Sequence, residues 1–268
     1  MTMSPANIEH HGLSTIYEPA SGIAASFRPV GTNLNSGGLY GSVVQTLGRR
    51  IATGELPAGT RLRVEDLSVE FGVSRTIVRE SLRSLEAKRL VGARPRVGTL
   101  VLPVDQWNLL DPDVIGWRLG GPSADALMTE LLDLRRAVEP LAARSFANHP
   151  DDEGLRALRE SAEQMRRAVD DGDFGLFSQA DSRFHRIVVA HSGSQVLGQL
   201  VDAVVAALQA REQLLLMPEH LDEAVVRSHA AVVECIANQD PDDAEHAARL
   251  IVDVASDEVA RKLKEGTP

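Results

Sequence analysis

The chain has 268 residues, a net charge of −10, and 43% hydrophobic and 25% charged residues. This composition is typical of one or two globular domains and excludes disorder throughout. No apolar run approaches the roughly 18 residues that a membrane span needs, and the amino terminus lacks the basic and apolar regions of a signal peptide. We therefore expect a cytoplasmic protein with no membrane partner.

The charge is distributed unevenly along the chain. Between residues 41 and 100, eleven basic residues accompany six acidic ones, for a net charge of +5, whereas the residues after 100 carry −14. A small basic module joined to a larger acidic one indicates a polyanion-binding unit attached to a unit with another task.

The amino-terminal third predicts a winged helix-turn-helix domain over residues 38–103. Residues 1–37 show no sustained hydrophobic period, which predicts a flexible tail. Helical periodicity and turn residues then predict three helices, at 39–53, 64–71 and 74–89. Two short apolar stretches, 90–93 and 99–102, flank a basic tip and predict a β-hairpin wing.

The remainder predicts a linker and an all-α helical bundle, so the fold class is mainly α. Residues 104–122 contain two Trp and several Pro and Gly residues, as in a partly packed connector between domains. Residues 123–264 carry helical apolar stripes and no strand pattern. One stripe comprises Leu127, Leu131, Leu134, Val138 and Leu141. Residues 194–216 predict one long helix.

The helix after Ser74 has two distinct faces. Its apolar side comprises Ile77, Val78, Leu82 and Leu85, and the adjoining stripe comprises Arg75, Arg79, Arg83 and Glu86. Arg75 lies in the first turn, which a recognition helix presents to base edges or phosphates in the major groove. A solvated charged face is the alternative, but the glycine turn before the helix and the basic wing favour double-stranded DNA as the partner.

The segment LRVEDLSVEFGVSRTIVRESLRSLEAKRLV, followed by RVGTLV, resembles the winged-helix module of GntR-family transcription regulators. The resemblance implies that the arginines of the third helix contact bases or phosphates and that Gly98 approaches the minor groove. Many family members carry a DNA-contacting Arg where this chain has Glu65, so we expect Arg63 to substitute. With the basic wing tip, the predicted DNA-binding set is Arg63, Ser74, Arg75, Thr76, Arg79, Arg96 and Gly98.

A second cluster lies in the helical half. Asp181 and His185 are four residues apart and share one helix face, so both can reach a single ion, although such a pair is also compatible with a surface hydrogen bond. His229 begins an apolar helical stretch and is expected to be packed. The lone Cys235 is interpreted as a core residue.

This half resembles the FCD ligand-sensing domain of the FadR subfamily through LRRAVEPLAARSFA, DSRFH and SHAAVVECIANQDPDDA. The resemblance implies that Asp181, His185 and His229 hold a divalent metal, for which Zn, Ni or Mn suits the donors. The subfamily's fourth ligand is a second late histidine, and Ile251 occupies its position here. We therefore expect an exchangeable ion held by three protein ligands.

The effector site is predicted around Arg135. This residue lies four before Glu139, so a surface ion pair is possible, but the resemblance implies that Arg135 faces the pocket and clamps a carboxylate, with Arg211 as a second donor. The connector resembles that of family members that regulate sugar-acid catabolism, which implies a galactonate-like sugar acid as the effector. Candidate partners for its hydroxyls are Ser182, Gln209 and Asn238.

We interpret the chain as a homodimeric, ligand-responsive repressor of a sugar-acid catabolic operon that leaves its operator when the effector binds. The alternative is a metal-dependent enzyme with Asp181, His185 and His229 around an activated water. The sequence has no HExxH, P-loop, GxSxG or dinucleotide motif, so an enzyme is not expected. A third reading, constitutive DNA binding with a purely structural bundle, predicts no response to small anions.

Overall fold

The computed structural model describes residues 38–217 and 221–265. The tail predicted at residues 1–37 lies outside the described residues. Within the described ranges, an amino-terminal unit with a small sheet is followed by a helical bundle, which confirms the predicted fold class. No helix in these ranges is both long enough and apolar enough to cross a membrane.

The amino-terminal unit combines three helices with a three-stranded antiparallel sheet of order β1-β3-β2. In chain order its elements are α1 (Leu39–Ala52), β1 (Arg61–Leu62), α2 (Val64–Glu70), α3 (Arg75–Ala87), β2 (Val91–Arg94) and β3 (Gly98–Val101). The wing hairpin pairs Val91 with Val101 and Arg94 with Gly98. The sequence did not predict β1, because two residues are too few to show the alternation that indicates a strand.

The core of this unit lies between α1 and the apolar side of α3. Leu47, Val78 and Leu85 are completely buried, as the helical spacing of apolar residues predicts. The hydroxyl of Ser74 accepts a hydrogen bond from the backbone N–H of Ile77 at 3.3 Å, which caps the amino terminus of α3. The opposite face of α3 is therefore held toward solvent.

A further helix, α4 (Pro112–Leu119), lies within the predicted linker. Trp117 packs in the core of the amino-terminal unit, and its indole N–H donates to the side-chain oxygen of Gln45 at 2.7 Å. Ile115 and Leu119 pack instead in the core of the bundle. One helix thus belongs to both cores.

Gly48 permits the close approach of α4 to α1. A Cβ atom at this position would lie 2.5 Å from atoms of the Trp117 ring, which is closer than van der Waals contact allows. The absence of a side chain at residue 48 is therefore what lets the indole pack against α1.

The bundle comprises α5 (Ala124–Asn148), α6 (Asp152–Asp171), α7 (Phe174–Ala190), α8 (Gln195–Gly198), α9 (Val201–Gln213), α10 (Glu223–Ala237) and α11 (Pro241–Glu265). Helix α7 packs against α5, α6 and α9, and α11 packs along α5 and α10. The single helix predicted over 194–216 is wrong, since Ser194 caps the short α8 and a separate helix begins at Val201.

Leu141 is also not part of the buried stripe of α5. Its side chain is 48% exposed, while Val138, Ala142 and Phe146 are buried. The buried face runs through these three residues at spacings of four, and Leu141 lies beside it. The buried face of α5 therefore turns away from Leu141 and brings Arg135 and Glu139 into the interior.

Candidate functional site

A cavity of about 310 Å³ lies between α5, α7, α9, α10 and α11. Five charged or titratable residues line it and are buried: Arg135, Asp181, His185, Arg211 and His229. The exposed part of the wall includes the apolar Leu250 and Val254, which are half-exposed or more, and the polar Asp222 and Ser228. The cavity thus has a charged interior and a mouth of mixed polarity.

The three predicted metal ligands meet in this interior. The carboxylate oxygen Oδ1 of Asp181 lies 3.5 Å from Nε2 of His185 on the next turn of α7, and 3.2 Å from Nε2 of His229 on α10. These separations suit neighbouring ligands of one ion with metal–ligand bonds of about 2.1 Å. Among the described residues, these three form the group of His, Cys, Asp or Glu side chains that can hold a metal.

Hydrogen bonds fix the orientation of both imidazoles. The Nδ1–H of His229 donates to the carbonyl oxygen of Val225 at 2.7 Å, and the Nδ1–H of His185 donates to the carboxylate of Glu139. Both acceptors lack a proton, so Nδ1 is the protonated nitrogen in each ring. In both residues Nε2 then faces Asp181, as in metal-binding histidines, and Nε2 of His185 also lies 3.4 Å from the Nη2 donor of Arg135.

The cluster fits a cation. When both imidazoles are neutral, two nitrogen lone pairs converge on a carboxylate, and His229 Nε2 has no hydrogen-bond partner within the described part of the chain despite its 3.2 Å approach to Asp181. Burial raises the pKa of Asp181, but the two histidines outweigh it and hold that pKa well below its usual range. Burial lowers the pKa of His185, but Glu139 and Asp181 outweigh it and raise that pKa. The site therefore attracts positive charge.

Ile251, at the position of the expected fourth ligand, contributes no ligand to the cluster. It lies on α11, lines the cavity and is 9% exposed. Its apolar side chain supplies no electron pair, so an ion at the cluster would keep a coordination position for water or for a bound anion.

The pair Arg135–Glu139 is fully buried, so the alternative of a surface ion pair is wrong. The guanidinium Nε of Arg135 donates to Oε1 of Glu139 at 2.5 Å, and both side chains are at most 2% exposed. Burial raises the pKa of Glu139, but Arg135 and His185 outweigh it and lower that pKa to about 2. Glu139 is therefore an anion inside the protein, in contact with both Arg135 and His185.

Both arginines have spare hydrogen-bond donors. Nη1 of Arg135 and Nε of Arg211 are buried, and neither has an acceptor among residues 38–217 and 221–265. Nη2 of Arg211 lies 3.4 Å from the carboxylate of Glu258 on α11. Burial and the charge of Arg135 lower the pKa of Arg211. An anion in the cavity would supply the missing acceptors.

The predicted hydroxyl partners do not line this cavity. Ser182 and Gln209 line a separate depression of about 340 Å³ between α7 and α9, and Asn238 is the C-cap of α10. The side chains of Ser228 and Asp222 line the cavity instead. Sequence reasoning missed these residues and Glu258, because helix packing determines which faces of α10 and α11 line the cavity.

The predicted DNA-binding residues are all exposed in the amino-terminal unit. Arg63 is the N-cap residue of α2, and the capping Ser74 precedes Arg75, whose side chain is 68% exposed. The remaining predicted residues, Thr76, Arg79, Arg96 and Gly98, are exposed as well. Gly98 has φ +103°, a conformation that favours glycine at the end of the wing turn.

An ion cluster joins the end of α3 to the start of α4. Nζ of Lys88, the C-cap residue of α3, lies 2.9 Å from Asp111 and 2.8 Å from Asp113. Burial lowers the pKa of Lys88, but the hydrogen bonds to both carboxylates outweigh it and raise that pKa. Because Asp111 also caps α4, the orientations of the two helices are linked.

Two family models match the chain. Residues 39–101 match the model for bacterial regulatory proteins of the gntR family, and residues 130–254 match the FCD domain. Over 227 residues the chain is 33% identical to the galactonate operon transcriptional repressor of Escherichia coli, which covers 84% of this chain and 96% of that protein.

Further comparisons agree with this result. A probable D-xylose utilization operon transcriptional repressor of Paenarthrobacter nicotinovorans is 30% identical over 197 residues, or 74% of this chain and 78% of that protein. The fold resembles the solved structure of Lar, described as controlling the Listeria monocytogenes agr system, with a TM-score of 0.59, 18% identity, and coverage of 84% of this chain and 97% of that one. The enzyme alternative is therefore not favoured. The chain belongs to the GntR family, in its FadR-type branch with an FCD domain, and is a ligand-responsive DNA-binding transcription regulator.

Proposed function

We propose that the protein is a cytoplasmic, homodimeric repressor that releases its operator when a sugar acid binds beside a divalent metal in the bundle cavity. The observation that carries this proposal is the buried cluster of Arg135, Arg211, Asp181, His185 and His229 around one cavity. Polar groups this deeply buried are costly unless something satisfies them. A metal with an anion would supply partners to the buried atoms of this cluster that lack one in the described chain, Nη1 of Arg135, Nε of Arg211 and Nε2 of His229.

The charges around the cavity favour a monoanion. Arg135, Arg211 and a divalent ion together carry one more positive charge than Glu139, Asp181 and Glu258, the carboxylates in contact with these groups, whereas the carboxylate of Asp222 also lines the cavity but is exposed to solvent. One carboxylate on the effector would remove that excess. The buried N–H groups of the two arginines offer it charge-assisted hydrogen bonds.

The donor set favours Zn²⁺, Ni²⁺ or Mn²⁺ over Ca²⁺. Asp181 supplies one carboxylate, and His185 and His229 supply two imidazoles, whereas Ca²⁺ prefers oxygen ligands only. The bound ion would act as a Lewis acid that holds the effector carboxylate. Because Ile251 adds no ligand, we propose that the ion is exchangeable.

Two observations support a hydroxylated acid. The relative with 33% identity is named as a galactonate operon repressor, so a galactonate-like sugar acid is the first effector to test. Near the mouth of the cavity, Ser228 and the carboxylate of Asp222 can bind hydroxyl groups.

For the DNA-binding half, we propose that Arg63, Arg75, Arg79 and Arg96 contact the operator, with Ser74 and Thr76 at the backbone and Gly98 near the minor groove. The exposure of these residues in the winged helix supports this assignment. The family resemblance implies a dimer, and a two-fold dimer would present two such units to a pseudo-palindromic site.

We propose that helix α4 couples effector binding in the bundle to the position of the DNA-binding unit. It packs against α9, which carries Arg211, and its Trp117 packs in the core beneath α3. The effector can change operator affinity only if it binds the two arrangements of these helices with different affinities.

The test is a thermal-shift screen of sugar acids and other carboxylates, with and without Zn²⁺, Ni²⁺ or Mn²⁺, followed by DNA-mobility assays with the stabilising compound. We expect stabilisation that needs both the metal and a hydroxylated monocarboxylate, and release of DNA at the same concentrations. A protein that binds operator DNA but responds to no anion would contradict the proposed effector site.

A further inference from the structure

We propose that Glu139 is a positioning residue that joins the metal and anion halves of the cavity, orienting His185 for the metal and Arg135 for the effector. For the anion half this inference rests on the proposed function. The metal half also rests on it, through the ion proposed at Asp181, His185 and His229, but it does not depend on the identity of the effector.

Glu139 uses each of its carboxylate oxygens for a different half of the site. Oε1 accepts from Nε of Arg135 at 2.5 Å, and Oε2 accepts from Nδ1 of His185. The residue is 1% exposed and does not line the cavity, so it acts through these two neighbours and does not touch a ligand itself.

The contact with His185 selects the imidazole nitrogen that can bind a metal. A neutral imidazole carries its proton on one nitrogen, and the carboxylate of Glu139 holds that proton on Nδ1. Nε2 is then unprotonated and faces Asp181 at 3.5 Å. In His229 the proton is held on Nδ1 by a backbone group, the carbonyl of Val225. In His185 it is held by a side chain, that of Glu139, which can be changed by substitution.

The contact with Arg135 lets this positively charged side chain lie beside a metal ion. Nη2 of Arg135 lies 3.4 Å from Nε2 of His185, so the guanidinium is close to a metal-binding nitrogen. The negative charge of Glu139 offsets this positive charge and holds the guanidinium by its Nε edge. Nη1 then has no acceptor in the described chain and is available to an anion.

Loss of Glu139 therefore affects both ligands. His185 would no longer be held with Nε2 toward Asp181, and an uncompensated guanidinium would repel a cation nearby. Since one carboxylate supports both subsites, we also expect metal and effector to strengthen each other's binding, and such coupling is reciprocal.

The test measures Zn²⁺ affinity of the full chain by competition with a chromophoric chelator, without DNA or effector. Glu139→Gln should weaken Zn²⁺ binding by about 10- to 100-fold, the usual effect of removing an outer partner of a metal-ligand histidine. The matched control is Val138→Ala, which shortens a buried side chain on the adjacent residue of α5 and should leave Zn²⁺ affinity unchanged. Equal Zn²⁺ affinity in Glu139→Gln and wild type, or an equal loss in the control, would overturn the proposal.

Two further measurements complete the test. In the Zn²⁺-loaded wild type, histidine ¹⁵N chemical shifts should show the metal on Nε2 and the proton on Nδ1 of His185, and the reverse assignment would overturn the proposal even if Glu139→Gln did not fold. With D-galactonate at saturating Zn²⁺, Glu139→Gln should bind at least about tenfold more weakly than wild type. Failure of the wild type to bind D-galactonate would contradict the sugar-acid proposal, and the Zn²⁺ comparison alone would then decide the role of Glu139.

Discussion

Replacement of Arg135 by lysine is the sharpest test of the effector site. Arg135→Ala would leave Glu139 buried beside His185 without its arginine, and breaking a buried pair in this way costs about 3–5 kcal/mol, a large part of a protein's stability. Arg135→Lys keeps a positive charge near Glu139. It removes the planar guanidinium and the Nη1 group that has no partner among the described residues.

The expected loss follows from that missing donor. A hydrogen bond between charged groups contributes about 1.5–3 kcal/mol, so the effector Kd of Arg135→Lys should rise by about 10- to 150-fold. Zn²⁺ affinity should stay within about threefold, because Asp181, His185 and His229 are unchanged. Operator affinity without effector should also be unchanged, since the DNA-binding residues lie in the other unit.

Calorimetry of the Zn²⁺-loaded protein measures the effector Kd, and a mobility assay measures operator release. Arg144→Lys is the matched control, because Arg144 lies on the same helix but forms a partly exposed pair with Asp242 and Glu245. If Arg135→Lys binds the effector as tightly as wild type does, Arg135 is only a structural partner of Glu139 and the anion binds elsewhere.

In the winged helix, Arg75→Ala should weaken operator binding by about 1–3 kcal/mol, measured by fluorescence anisotropy, because it removes an exposed donor at the start of α3. Ile251→His should tighten Zn²⁺ binding in chelator competition, because it places a fourth donor on the wall of the cavity. Gly48→Ala should lower the thermal midpoint, since overpacking against Trp117 costs about 1–3 kcal/mol and outweighs the gain of about 0.5–1 kcal/mol in helix stability.

Each of these variants has a matched control. Arg159→Ala removes the same charge from an exposed position on α6 and should leave operator affinity unchanged. Ile251→Leu keeps the cavity wall apolar and should not alter Zn²⁺ affinity. Gly198→Ala, where a Cβ atom meets nothing within 4 Å, should not be destabilising. A control that behaves like its test variant would contradict the corresponding assignment.

Local sequence patterns predicted most of the fold. The apolar spacing in α1 and α3, the Ser74 cap and the helical stripes of the bundle are features of neighbouring residues, so they can be read without a structure. The misses have physical reasons. Strand β1 has two residues and too short a pattern, the segment over 194–216 contains a helix break after Gly198, and Leu141 lies just outside a face whose direction depends on packing.

The sequence by itself determined which residues carry charge and donor atoms: Asp181 and His185 one helical turn apart, His229 in an apolar helix, and Arg135 one turn before Glu139. Only the tertiary structure decided that these groups meet around one cavity, because they come from helices far apart in the chain. It also decided that Arg135 and Glu139 are buried and that Glu139 contacts His185. Spacing along a helix restricts which side chains share a face, but helix packing determines which faces meet and which charged side chains are buried.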